Sequence, residues 1–367
     1  MGDPLRVVIA GGGTGGHLYP GIAVARELLA RQPDARITFA GTALGIEARV
    51  VPREGFELDV IRSAGLKGKS LMDRARGIGL LPLSLADAWG IVSRRRPQLV
   101  MGVGGYSSGP VVLIAAARGV PTMLLEQNAV PGLTNRLLAP FVRAAAVTFD
   151  STRSFFGSKA LVSGNPVRPE FVSAVGHSQE SGATDGAPIV RVLVFGGSQG
   201  AHAINVAMVE AAAGLAAGGP TVRLTHQTGE RDLEMVRAGY RQAGLQADVE
   251  PFFYDMGRQL GQADVVVCRA GATTLAELMA AGKAAILVPL PTATDDHQRK
   301  NAEALAESGA AEVLLQRDMT GRVLAERILA LAADTDRRAR IARAARALAT
   351  PDAARIIVDR ALELVAR

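Results

Sequence analysis

Short apolar runs rich in valine and isoleucine recur along the chain, and glycine follows several of them. In the first half they are LRVVIA (5–10), ITFAG (37–41), LVMGVGG (99–105), PTMLLEQ (121–127) and AAVTF (145–149). Their length suits strands, and their continuous apolar character suits strands buried on both faces. Between them lie helical patterns, clearest in IAVARELLA (22–30) and SGPVVLIAAARG (108–119). Strand and helix in alternation predict a parallel sheet covered on both sides.

The pattern halts at SAVGHSQESGATDGAP (173–188), a polar, glycine-rich stretch that reads as a linker. It then restarts. IVRVLVFGGSQGAHAINVAMVEAAAGLA (189–216) repeats the layout of LRVVIAGGGTGGHLYPGIAVARELLA (5–30): apolar strand, glycine turn, helix. Further strand candidates are TVRLTHQTG (221–229), DVEPFF (248–253), ADVVVCRAG (263–271) and AAILVPLP (284–291). The spacing predicts an α/β protein of two doubly wound domains, 1–165 and 189–350, joined through 166–188. Ligands are expected at the carboxyl ends of the strands, in a cleft between the domains. From Met319 onward the chain is rich in Ala, Leu and Arg and reads as helix. Pro351 marks a new helix start, with Thr350 as its cap and 351–367 as the helix.

Composition narrows the picture. A chain of 367 residues, 48% hydrophobic, is long for one core and comfortable for two. The single Cys268 excludes an internal disulfide. No stretch of 18 uncharged apolar residues offers a membrane span; the nearest, GIGLLPLSLADAWGIV (77–92), is broken by Pro82 and Asp87. The opening residues lack the features of a signal peptide, so an export leader is not expected. Charge is uneven: residues 1–165 hold 19 Lys and Arg against 11 Asp and Glu, net +8, whereas 166–367 carry net −2. A basic half suits nucleic acid, anionic lipid or a phosphorylated substrate. An aromatic content of 4% and the lack of a DNA-reading helix motif argue against nucleic acid.

The chemistry starts at the glycine turns. In GGGTGGH (11–17), Gly11, Gly13 and Gly16 fit the dinucleotide spacing, but no acidic residue ends the next strand, which counts against NAD. No GK[ST] follows, so it is not a P-loop. Such a turn lets backbone approach a ligand and offers helix-start N–H groups to an anion, or it serves packing alone. His17 stands at that helix start, where the dipole favours the neutral imidazole; it reads as a general base or as a brace for the loop. In the second turn, GGSQGA (196–201), Ser198 and the backbone amides make a diphosphate cradle, or Ser198 caps the helix. His177, His202, His226 and Cys268 have no zinc spacing, and no metal site is predicted.

GGTGGHLYPGIAVA (12–25), GVGGYSSGP (102–110), EQNAVPGLTN (126–135), GNPVR (164–168), GGSQGA (196–201), CRAGATTLAEL (268–278) and HQRKNAEAL (297–305) occur in this order. In them the chain resembles the MurG family, peptidoglycan glycosyltransferases that add N-acetylglucosamine to lipid I. The resemblance implies the GT-B fold, two Rossmann-like domains facing a cleft. It places the lipid-linked acceptor on the first domain and UDP-N-acetylglucosamine on the second, with the last helix packed back on the first.

The same resemblance implies roles. His17 is the catalytic base, and Glu126 orients it, contacts a substrate hydroxyl or is its rival. Thr14, Gly15 and Gly16 lie near the reacting centre, and Asn128 contacts the donor sugar. Arg168 and Ser198 meet the donor diphosphate, as do the helix-start residues Ala272, Thr273, Thr274, Leu275 and Ala276. Phe253 lies against uracil. Glu277 accepts from the ribose hydroxyls, although Thr274 and Glu277 also fit a capping box. Gln298 holds the sugar hydroxyls, Asn301 supports its loop, and Arg269 steadies the uridine side. Tyr106 and Ser107 suit the acceptor diphosphate. One departure is Leu125, where many relatives carry histidine.

The implied reaction inverts the sugar: the C4 hydroxyl of the muramyl unit attacks in line, and one base suffices. No cofactor is required, and a divalent ion assisting the diphosphate is compatible with the reading. The stretch 66–97 implies a membrane face. Ile78, Leu80, Leu81, Leu83, Leu85 and Trp89 form an apolar patch ringed by Lys67, Lys69, Arg74, Arg76 and Arg94 to Arg96, suited to an anionic surface. The alternative is ordinary helix core with a solvated basic flank. Expected partners are UDP-N-acetylglucosamine, lipid I, the cytoplasmic face of the inner membrane and other cell-wall synthesis proteins, with no nucleic acid. The rival functions are another GT-B glycosyltransferase, a UDP-N-acetylglucosamine epimerase, or a membrane-associated nucleotide-binding scaffold.

Overall fold

In the computed structural model, residues 3–63, 79–173, 189–197, 200–293 and 296–366 are described. The chain divides into two units, Met1–Val167 with Thr350–Arg367, and Arg168–Ala349. The division falls inside the stretch expected to be linker, so Arg168 and the short helix Pro169–Ser173 belong to the second unit.

The apolar runs of the first half become one parallel sheet. Its strands are β1 (Arg6–Gly11), β2 (Arg36–Gly41), β3 (Glu57–Val60), β4 (Leu99–Gly104), β5 (Thr122–Glu126), β6 (Ala144–Val147) and β7 (Ala160–Val162), in the order 3-2-1-4-5-6-7. Val7 pairs with Ile37 on one side and Leu99 on the other, which sets the central register. Strand alternation sends Val7, Ile9, Met101, Met123 and Leu125 to one core face and Val8, Ala10, Val100 and Leu124 to the other. Helix Gly15–Arg31 covers the first face through Leu18, Ile22 and Leu28. Helices Leu81–Arg95 and Ser108–Ala117 cover the second through Ala88, Ile91, Val111 and Val112. β3 and β7 were not predicted. Both are short edge strands, and the charged ELDV carries little apolar signal.

The second unit repeats the plan. β8 (Val190–Phe195), β9 (Val222–Gln227), β10 (Ala247–Glu250), β11 (Val265–Cys268), β12 (Ala284–Leu287) and β13 (Glu312–Val313) are parallel in the order 10-9-8-11-12-13. The long helical tail is three helices, Gly321–Ala333, Thr335–Ala347 and Ala353–Ala366. The break that the composition concealed is Asp334, whose carboxylate accepts from the Arg337 N–H at 2.8 Å and caps the middle helix.

Ala353–Ala366 belongs to the first unit. Ile357, Val358, Ala361 and Leu364 are buried in the same cluster as Val7, Leu18 and Leu28, and Arg31 pairs with Asp359. Deleting buried side-chain atoms loses their transfer energy and leaves a cavity. Ile357→Ala is therefore expected to lower the stability of the first unit by ~2–5 kcal/mol. In a calorimetric scan that resolves two transitions, the one belonging to the second unit should not move.

Candidate active site

A doubly wound sheet binds its ligands where strand order reverses, beyond the carboxyl ends of the strands. In the first unit that point lies between β1 and β4, and both strands end in glycine. The two loops touch through backbone. The Gly12 N–H donates to the Gly104 carbonyl at 3.3 Å, and a Cβ on Gly105 would stand 2.5 Å from the Gly12 carbonyl oxygen. Gly104 and Gly105 also have φ of +98° and +83°, angles that only glycine adopts readily.

His17 lies in the first turn of the helix that follows, its ring over Gly104; a Cβ there would stand 2.7 Å from Nδ1. Nδ1 is 3.1 Å from Oε1 of Gln127, whose Nε2 donates to the Val103 carbonyl at 3.1 Å. The orienting group is thus Gln127, which corrects the expectation for Glu126. The cause is strand alternation. Leu125, 2% exposed, points to the core face that helix Gly15–Arg31 covers, and Gln127 follows it to that side. Glu126 is turned the other way. It is buried, and its oxygens accept from the Asn128 N–H at 3.0 Å and Nδ2 at 3.2 Å, the Gly132 N–H at 3.0 Å and Asn135 Nδ2 at 2.8 Å. It braces its own loop. Leu125, where the resemblance implied a histidine, is a packing side chain. Tyr106 is 47% exposed beside the glycine pair, whereas Ser107 is buried.

In the second unit the order reverses between β8 and β11. Ser198 lies outside the described residues. Helix Ala272–Ala281 starts directly after β11 with Gly271 as N-cap and no side-chain cap. The capping box expected of Thr274 and Glu277 does not form, because Gly271 and not Thr274 is the N-cap, and the first turn of the helix points its N–H groups beyond the end of β11. Glu277 is buried, and its Oε1 accepts from Arg168 at 3.2 Å; Arg168 also pairs with Glu170 at 3.2 Å and stacks on Phe171. Burial pushes the Glu277 carboxyl up to about 7, and Arg168 offsets part of that. Gln298 sets its Oε1 between the N–H groups of Ala270 at 3.3 Å and Leu290 at 3.0 Å, the ends of the loops after β11 and β12. Its amide is thereby locked with Nε2 directed elsewhere. Asn301 is buried and reaches the Ala270 carbonyl at 3.5 Å. Arg269 donates to the carbonyls of Val288 and Pro289 and to Gln316, as an internal brace.

Gln227, at the end of β9, was missed. Its Nε2 donates to the Gly197 carbonyl at 2.9 Å, and its Oε1 accepts from the Phe253 N–H at 2.9 Å. It joins the glycine turn to the segment PFFYDM (251–256) and takes the Phe253 N–H, so that the Phe253 main chain offers a ligand its carbonyl only. His226 is fully buried between Tyr240 OH at 2.7 Å and Asn205 Oδ1 at 3.0 Å, and burial holds it neutral with a pKa of about 3. It belongs to the core.

Both halves match a family model: Glycosyltransferase family 28 N-terminal domain over residues 7–147 and its C-terminal domain over 191–357. A protein of Anaeromyxobacter dehalogenans (strain 2CP-C) is 48% identical over 99% of this chain and 94% of its own length. It is named UDP-N-acetylglucosamine--N-acetylmuramyl-(pentapeptide) pyrophosphoryl-undecaprenol N-acetylglucosamine transferase. The crystal structure of Acinetobacter baumannii MurG is 31% identical, with a TM-score of 0.80 over 98% of this chain and 100% of that one. The chain belongs to the MurG family. Its two parallel-sheet units are those of the GT-B fold. A UDP-GlcNAc 2-epimerase from Neisseria meningitidis, 14% identical with a TM-score of 0.68, shares that fold alone. Within the MurG family's motifs, the structure brings His17, Thr14, Gly15, Gly16 and Tyr106 to one sheet's switch point. It brings Ala272, Thr273, Thr274, Glu277 and Gln298 to the other.

The Glu277 environment makes a pH prediction. Its folded pKa lies above the ordinary carboxyl value of 4.5, so protonation favours the folded state. The stabilisation is complete below 4.5 and is lost as pH rises through about 7. Between those values the second unit should lose on the order of 3 kcal/mol. Glu277→Gln should flatten that slope in denaturant titrations run across the range.

Proposed function

We propose that this chain moves N-acetylglucosamine from UDP-N-acetylglucosamine to the C4 hydroxyl of the muramyl sugar of lipid I, giving lipid II. The observation that carries the reading is 48% identity along 99% of the chain to a transferase of that name. The switch-point geometry supports it. His17, held through Nδ1 by Gln127, presents Nε2 as the base that takes the proton of the attacking hydroxyl. The helix start at Ala272, Thr273 and Thr274 receives the diphosphate charge as UDP leaves. Glu277 accepts from the ribose hydroxyls, Gln298 donates to the sugar, and Phe253 packs on uracil. Arg168 acts through Glu277, favouring its ionised form, as well as on the phosphates. The acceptor diphosphate lies by Tyr106, and Asn128 serves the donor sugar. The displacement runs without a resident cation.

Transfer of labelled sugar to a lipid I analogue, with a chelator present, tests the reading directly. His17→Asn keeps a polar side chain without a basic nitrogen. It should lower kcat by about 10²–10⁴-fold and leave UDP affinity unchanged. Turnover like that of the unsubstituted protein would remove His17 as the base.

Lipid I lies in a membrane, and the amino-terminal unit is the half that reaches it, at the cytoplasmic face of the inner membrane. No helix among the described residues is long and apolar enough to cross one. On helix Leu81–Arg95, Leu81, Leu83 and Trp89 are exposed, while Ser84, Ala88, Ile91 and Val92 face the core. Leu80 and Leu85 are half-buried; Ile78, Lys67, Lys69, Arg74 and Arg76 lie outside the described residues. Arg94 and Arg95 are already paired with Asp59 at 3.1 and 2.8 Å, so the basic rim is weaker than the sequence implies. Apolar insertion then carries more of the contact than charge does. Leu81→Ser with Leu83→Ser should reduce flotation with vesicles and spare activity on a short-chain acceptor. Equal loss on neutral and anionic vesicles is the expected pattern.

A further inference from the structure

Glu47 has no part in the roles above, and its surroundings are unusually specific. It opens helix Glu47–Arg53 on the loop after β2 and is wholly buried. Its Oε2 accepts from the Gly13 N–H at 2.7 Å, and its Oε1 accepts from the N–H and the hydroxyl of Thr42 at 2.8 and 2.7 Å. One carboxylate thus ties the loop after β2 to the glycine turn after β1. A buried charge is costly unless donors meet it. Here three donors and the start of its own helix do so.

The space around it is made of missing side chains. A Cβ on Gly12 would stand 2.5 Å from the carboxylate, one on Gly41 would stand 2.6 Å from Cγ, and one on Gly45 would overlap the carboxylate oxygens. Gly41 and Gly45 are absent from the positive-φ residues, so room for Glu47 is what requires glycine there.

We propose that Glu47 is a positioning residue for the transfer, fixing the turn GGGTGGH and so the place from which His17 meets the acceptor hydroxyl. This rests on the reading of His17 given above. The turn is gripped from two sides. From β4, Gly104 holds Gly12; from β2, Glu47 holds Gly13, four residues before His17. Without the carboxylate the second grip is gone, and the histidine rides on a turn anchored at one edge. Neither close analogue replaces it. Glutamine turns an N–H toward one of the two donor sets, and aspartate is one methylene short of the reach.

The experiment is steady-state transfer by the full chain on a lipid I analogue, with UDP calorimetry and thermal melting on the same samples. A misplacement of about 1 Å at a reacting group costs about 10²-fold. Glu47→Gln should therefore lower kcat by about that factor, with the KM for UDP-N-acetylglucosamine and the Kd for UDP unchanged and a cooperative melt retained. Should Glu47→Gln fail to fold, Gly45→Ala displaces the carboxylate without removing it and should give the same loss of kcat. In a Glu47→Ala background, Gly45→Ala should add nothing, because the room it needs has been vacated. A kcat for Glu47→Gln or Gly45→Ala like that of the unsubstituted protein overturns the proposal, as does a loss matched by an equal fall in folded fraction. Absence of transfer by the unsubstituted protein overturns the reading of function itself and the proposal with it.

Discussion

Backbone meets backbone where β1 and β4 end, and no side chain fits between them. The Gly12 amide on the Gly104 carbonyl, with Gly105 against the Gly12 carbonyl, brings two loops together at the point where strand order reverses. Helix Gly15–Arg31 leaves from that contact, and its first turn carries His17 over Gly104. The second unit uses the same device: a Cβ on Gly200 would collide with the Thr228 carbonyl, so the loop after β8 closes on the end of β9. Glycine at these positions answers a steric demand of the sheet's topology, and a ligand site follows from the demand because helix starts are brought to the point where strand order reverses.

Three buried carboxylates show how surroundings divide labour among like groups. Glu126 accepts four hydrogen bonds from its own loop, and Glu47 accepts three across two loops. Both are filled by protein donors. Glu277 has one arginine on one oxygen and a carboxyl raised by burial. A carboxylate surrounded by donors is a joint; one left short of donors can take them from a ligand. Sequence position does not separate these cases: Glu47 opens a helix, Glu126 ends a strand and Glu277 lies within a helix, and none of these places says which donors meet the carboxylate.

The fold was largely legible because most buried parallel strands are continuous apolar runs, and every interior strand was among those expected, including the less apolar β9. The edge strands β3, β7 and β13 were not: they run to 4, 3 and 2 residues, and β3 and β13 also carry acidic side chains. The glycine turns and His17 were legible from local order alone. Gln127 was not: Glu126 is the more chemically suggestive neighbour, and only the side of β5 on which each residue falls decides between them. Gln227 and Glu47 were hidden for a different reason. Each acts between loops distant in sequence, Gln227 on Gly197 and Phe253, Glu47 on Gly13 and Thr42, and a motif read along the chain records neither meeting.

Helix Ala353–Ala366 fills a place in the core beside Val7, Leu18 and Leu28, although 182 residues of the second unit, Arg168–Ala349, come between. Synthesis runs from the amino end, and domains generally fold as they emerge. The first unit leaves the ribosome with an apolar groove that its own chain cannot yet fill. The second unit has all of its strands and helices in one continuous stretch and can close around its core first. The half of the protein made earliest is therefore the half finished last, and until that helix arrives its uncovered face is open to chaperones and to other unfinished chains.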